Sequence, residues 1–159
     1  MQIVFLFSIF ANNLHNSKTK MIQELKFKNF LSFRDEVVFS FEATSDDTLD
    51  EYYVAQPVPG VRLLKMAMVY GANASGKSNL LITIDFLKDF IQNIPIEREE
   101  STGFIPFLFG NTSNEPGMLE MIFYAESAKY KYYLELDKEK VIKEVLSYYP
   151  GTQPATIFN

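Results

Sequence analysis

Cysteine is absent from the 159-residue sequence. A disulfide scaffold, a zinc–thiolate site and a thiol nucleophile are thereby excluded. Histidine is nearly absent. The single one, His15, lies in a polar stretch far from the motif described below, where a solvated side chain is the natural reading. Positive charge is in deficit: 15 Lys and Arg against 20 Asp and Glu leave a net charge of −5. That balance speaks against a nucleic-acid groove formed by this chain alone. Long hydrophobic runs are also missing. The apolar run at residues 1–11 is too short to cross a membrane as a helix. It resembles the core of an export signal, but no Lys or Arg precedes it, and Lys18 and Lys20 come after it. Architectural sense begins at Met21, so residues 1–20 read as an N-terminal extension and residues 21–159 as the domain. A genuine N-terminal strand is the competing reading. No internal repeat or low-complexity tract occurs.

What is present describes one globular domain. Hydrophobic residues make up 47% and charged residues 22%, proportions that build a core rather than a disordered chain. The 15 Phe and 9 Tyr favour β structure.

The most informative stretch is Gly71-Ala72-Asn73-Ala74-Ser75-Gly76-Lys77-Ser78, which fits G-x-x-x-x-G-K-[ST]. Residues 61–70 read as a strand leading into it. Residues 79–92, beginning at Asn79, read as a helix leading out, with Leu80, Leu81, Ile84, Leu87, Phe90 and Ile91 at helical spacing. Strand, loop and helix together make a phosphate-binding P-loop, or Walker A motif. Successive backbone N–H groups of such a loop converge into an anion-binding concavity, and the following helix adds its positive end. Gly71 and Gly76 allow backbone angles and close approach that a Cβ would block. Lys77 is expected to compensate the charge of the β- and γ-phosphates. Ser78 is expected to offer its hydroxyl to Mg²⁺. The expected ligands are therefore ATP and Mg²⁺, held by residues 71–79. The bland alternative is a Gly-containing surface turn with an ordinary lysine.

Elsewhere the pattern is mostly β. Residues 21–30 alternate and predict a strand, 31–34 a turn, and 36–42 a second, antiparallel strand. Residues 45–51 form an acidic loop with a solvated surface, and 57–60 a Pro-Gly turn. After the helix, Pro95 breaks the pattern and 97–103 is a polar connection. The Pro-interrupted 104–109 stretch predicts core or edge packing. Strands are expected at 118–124, 129–136 and 141–149, joined by links short enough for hairpins, with a further one beginning at 152.

With Lys28-Asn29-Phe30-Leu31-Ser32-Phe33, then a G-x-N-x-x-G-K-S loop, then Asn79-Leu80-Leu81 and Asp85-Phe86-Leu87, the chain resembles the N-terminal part of an ABC-type ATPase of the RecF/SMC/OLD-like branch. The later Tyr130-Lys131-Tyr132-Tyr133-Leu134-Glu135-Leu136 fits the same pattern. The resemblance covers residues 21–159. It implies an α/β fold: a P-loop NTPase lobe of ABC type carrying an antiparallel β subdomain, cut short at its C-terminus. It further implies ATP hydrolysis in the complete protein, homodimerisation through the ATPase domain, a DNA or effector-protein partner in DNA maintenance or phage defence, and a cytoplasmic location. Two positions depart from the pattern. Leu31 stands where the branch often has Arg, leaving Arg34 as a weak substitute, and Ala74 stands where many members have Gly. No apolar strand ending in Asp-Glu and no S-G-G-like signature follows Ser78, so no catalytic residue is assigned. Asp85 and Asp89 read as surface charges on the helix. Two other functions stay open: a P-loop kinase or GTPase, and a non-catalytic nucleotide-binding module.

Overall fold

The computed structural model describes residues 20–92 and 101–159. The expectations for residues 1–19, His15 among them, and for 93–100 lie outside the described residues. Among the described residues, eight strands and two helices form in the order β1 (Met21–Lys28), β2 (Val37–Ser40), α1 (Asp50–Tyr53), β3 (Val54–Ala55), β4 (Leu63–Leu64), α2 (Lys77–Gln92), β5 (Gly117–Ala125), β6 (Ala128–Leu136), β7 (Val141–Tyr149) and β8 (Ala155–Phe158). A 3-10 turn, Asn111–Asn114, precedes β5.

Six strands make one sheet in the order β2-β1-β5-β6-β7-β8, antiparallel at every pairing. Strand alternation gives it an apolar face. Leu25 lies opposite Met121 and Phe27 opposite Leu119, and these continue across to Tyr132 and Leu134 of β6. Helix α2 closes this face with Leu80, Ile84 and Leu87, three buried side chains on one helical stripe. Each is worth about 1.5–3 kcal/mol of transfer free energy when fully buried. Thr83 is buried among them without penalty, because its hydroxyl donates to the Asn79 carbonyl at 2.8 Å. Tyr132 is handled in the same way. Its hydroxyl meets a Glu144 carboxylate oxygen at 2.7 Å, and burial together with that carboxylate raises the phenol pKa far above its ordinary value.

The expected hairpins form. Between β5 and β6, Glu126 and Ser127 both take positive φ, 54° and 64°, as a two-residue hairpin with the right-handed strand twist requires. Between β6 and β7, Asp137 accepts the N–H groups of Glu139 and Lys140, each at 2.8 Å.

Two expectations change. The acidic loop expected at 45–51 ends by entering the short helix α1, whose Asp50 carboxylate meets Arg62 at 2.6 Å. The strand into the P-loop shrinks to Leu63–Leu64. Leu64 and Leu63 pair with Val54 and Ala55 on one side, and Leu63 bridges to Glu42 on the other. Beyond Lys65 the chain keeps strand alternation without strand pairing. Ala67 and Val69 pack against the core, whereas Met68 and Tyr70 are exposed. No strand among the described residues pairs with them.

Candidate functional site

Residues 71–76 form a turn, exposed at 71–75 and half-buried at Gly76, that delivers the chain into α2 at Lys77. Two positions in it take the left-handed backbone region: Ala74 at φ 60° and Gly76 at φ 86°. Gly76 needs both its backbone freedom and its missing side chain. A Cβ there would lie 3.2 Å from Phe33 Cζ and 3.3 Å from Ser32 Oγ. Ala74, which stands where many members of the resembled branch have Gly, takes a backbone angle that glycine adopts more easily. An L-residue in that region costs about 1–2 kcal/mol. Ala74→Gly should therefore leave the loop shape unchanged and hold or raise the melting temperature; a lower melting temperature would show that the methyl group makes a stabilising contact.

Helix α2 begins one turn after Ala74, its first regular bond running from Leu80 N–H to the Gly76 carbonyl at 3.0 Å. It carries no acidic residue in its first turn. The positive end of a 16-residue helix is thus left without a carboxylate from its own first turn, and a lysine is placed there instead. For stability alone that is the wrong residue; for an anion site it is the expected one.

The Lys77 ammonium folds back over the loop. It donates to the carbonyls of Gly71 at 3.0 Å and Ala72 at 2.5 Å, and reaches Ser75 Oγ at 3.3 Å. Gly71 fits this arrangement, since a Cβ there would stand 3.0 Å from the same Ser75 Oγ. Ser78 is exposed and its hydroxyl has no hydrogen-bond partner among the described residues. Asn73 is exposed in the loop, and Asn79 follows in the first turn of α2. The structure thus brings residues 71–79 into one contiguous loop and helix start. An ammonium on a long side chain, a helix N-terminus and a free hydroxyl suit a phosphate chain with a divalent cation.

Other candidates fall elsewhere. Arg34 is on the surface, its guanidinium 3.0 Å from the Asp35 carboxylate, which raises the one pKa and lowers the other. Asp85 and Asp89 are exposed on α2, as expected of surface charges. Among the described residues no group of three or more His, Asp or Glu side chains is arranged to hold a metal. An apolar groove between α2 and the β1–β5 end of the sheet, lined by Ile22, Ile84, Ile91, Met121 and Phe123, includes none of the P-loop residues.

Sequence reasoning did not assign a role to Ser32 and Phe33. They stand far before the P-loop in the chain, 44 and 43 residues ahead of Gly76, yet form its wall there. The available signal was the Lys28-Asn29-Phe30-Leu31-Ser32-Phe33 pattern, which marks the turn but not what it touches.

The family described as "AAA domain, putative AbiEii toxin, Type IV TA system" matches residues 66–159, more than half of the chain. The chain belongs to this AAA-domain family. The match takes in the P-loop, α2 and β5 to β8, and begins after β1, β2 and the 29–33 turn. An AAA domain is a nucleotide-binding, ATPase-type unit, and the mixed α/β architecture with its antiparallel sheet agrees with a P-loop NTPase-like fold. Comparison with curated proteins found no match. No helix among the described residues is long and apolar enough to cross a membrane.

Proposed function

We propose that this AAA domain binds ATP with Mg²⁺ through residues 71–79, and that it belongs to the ABC-type, RecF/OLD-like branch. The observation that carries the reading is the Lys77 ammonium, poised over the loop on carbonyl partners it can exchange for phosphate oxygens. In this reading the loop N–H groups and the start of α2 hold the phosphates, and Lys77 compensates their charge. The Ser78 hydroxyl would help hold Mg²⁺, which when bound would supply charge neutralisation at the phosphates. Asn79 extends the polar lining from the first turn of α2. Phosphoryl transfer asks a protein mainly for positioning and electrostatics, and these residues supply both.

In the complete protein the same domain would hydrolyse ATP, with nucleotide-driven homodimerisation coupled to a DNA or effector-protein partner in DNA maintenance or phage defence, in the cytoplasm. The family description, which names a toxin of a toxin–antitoxin system, fits an effector role.

Titration of the purified chain with a fluorescent ATP analogue tests the site. Saturable binding that ATP competes away and that Mg²⁺ strengthens is expected. Ser78→Ala should abolish most of the Mg²⁺ increment, a loss of about threefold to tenfold in affinity. Binding that Mg²⁺ does not alter would remove Ser78 from the site, and preferential competition by GTP would replace the ATPase reading with a GTPase one.

A further inference from the structure

Asn29 is 1% exposed and sits at φ 51°, a conformation that Asn tolerates better than most residues. Its side-chain amide is fully engaged. Nδ2 donates to the carbonyls of Thr112 at 2.9 Å and Glu115 at 2.8 Å, with Pro116 at 3.4 Å, and Oδ1 accepts the Phe107 N–H at 3.1 Å. One side chain thus ties the 29–33 turn to the segment that precedes β5. The turn is also stitched to itself and its surroundings. Phe30 and Phe33 exchange both backbone bonds at 2.9 Å, and Leu31, at φ 54°, donates its N–H to the Ile105 carbonyl at 2.8 Å. The Phe30 ring lies 5.7 Å from Phe104 and 5.0 Å from Phe86 of α2.

At its far end the turn meets the P-loop. Phe33 packs edge-on against Phe27 of β1, with centroids 4.9 Å apart, and its ring tip borders Gly76 beside Ser32. Gly76 is the residue from which α2 takes its first backbone bond. A shift of Phe33 therefore moves the point where loop becomes helix, which is where the phosphate-facing N–H groups begin.

We infer that Asn29 is a positioning residue for the P-loop: its amide fixes the 29–33 turn so that Phe33 and Ser32 seat Gly76. The inference rests on the nucleotide-site reading above. Asn is the one residue of this size with a donor pair for the carbonyls and an acceptor for the Phe107 N–H. An Asp would set a carboxylate oxygen against the Thr112 and Glu115 carbonyls.

The test is MgATP affinity of the full chain, measured well below the melting temperature of each variant. Asn29→Asp is expected to weaken binding at least about fivefold. Leu146→Ala, a packing loss in β7 away from the turn, should lower the melting temperature while leaving affinity at the wild-type value. Phe33→Leu, which shortens the ring at Gly76 and keeps the site apolar, should weaken binding as Asn29→Asp does. Because Asn29 acts through Phe33, the double variant should bind no worse than the weaker single one. If Asn29→Asp leaves affinity intact while Lys77→Ala destroys it, the inference falls and the site stands. If Leu146→Ala weakens binding as much as Asn29→Asp does, the effect is general instability and the inference falls. If Lys77→Ala binds MgATP as the wild type does, the site reading falls and this inference with it.

Discussion

Replacing Lys77 by alanine is expected to weaken triphosphate binding by about 10²-fold while barely changing the stability of the fold. The two effects separate because of where the ammonium sits. Its present partners, the carbonyls of Gly71 and Ala72 and the Ser75 hydroxyl, are in an exposed loop. Water replaces the ammonium there at little cost, and exposed substitutions of this kind usually change stability by within about 0.5 kcal/mol. A phosphate chain behaves differently. Charge-assisted hydrogen bonds contribute about 1.5–3 kcal/mol each, so losing even one or two costs one to several powers of ten in affinity. The helix end strengthens the expectation, since α2 carries no acidic side chain in its first turn to compete with the ligand. Binding isotherms and melting curves on the same preparations check both halves. An unchanged affinity would mean the loop is a surface turn, and a large drop in melting temperature would mean Lys77 is a structural cap.

The parts of this molecule legible in the sequence are those whose causes lie close together in the chain. The candidate loop is contiguous, so Gly71 to Ser78 could be singled out from their spacing, and the structure places them in one turn leading into α2. The β5–β6 and β6–β7 hairpins are local, and alternation with short links was enough. Helix α2 was visible in the spacing of Leu80, Ile84 and Leu87, although it starts at Lys77 rather than Asn79. Distant causes stayed hidden. The strand expected at 61–70 has the right alternation, but pairing is a property of neighbours, and only Leu63–Leu64 has them among the described residues. The 104–109 stretch reads as uniformly apolar, yet Phe104 and Pro106 are buried while Ile105, Leu108 and Phe109 are exposed. What decides between them is Asn29 and Leu31, more than 70 residues upstream, which grip the backbone at Phe107 and Ile105. The role of Asn29 is invisible in its own neighbourhood for the same reason.

Gly117→Ala should be among the most damaging single substitutions in the described residues. Gly117 opens β5 opposite Leu136. A Cβ built there would lie 2.1 Å and 2.4 Å from two carbons of the Phe104 ring, and 3.2 Å from the Asn29 carbonyl oxygen. No neighbour can yield cheaply. The Phe104 ring is 4% exposed and stacked on Phe30 at an interplanar angle of 19°, so it cannot swing outward without breaking that stack. The carbonyl belongs to a residue whose side chain already holds three other backbone carbonyls and one N–H. Moving β5 instead would disturb its registers with both β1 and β6. Overpacking of this kind costs about 3 kcal/mol, a large part of the ~5–15 kcal/mol that holds a domain folded. For a chain of this size that lowers the melting temperature by about 6–12 °C. The cause can be isolated with Phe104→Leu, which opens a small cavity alone but makes room for the new methyl. The double variant should then be less destabilised than the sum of the two single ones. Strict additivity would show that the ring is not what the methyl meets. A clash that also displaces Asn29 should weaken MgATP binding in the folded fraction, whereas one confined to the Phe104 ring should leave affinity alone, so the same variant reports how rigidly this corner of the sheet is tied to the P-loop.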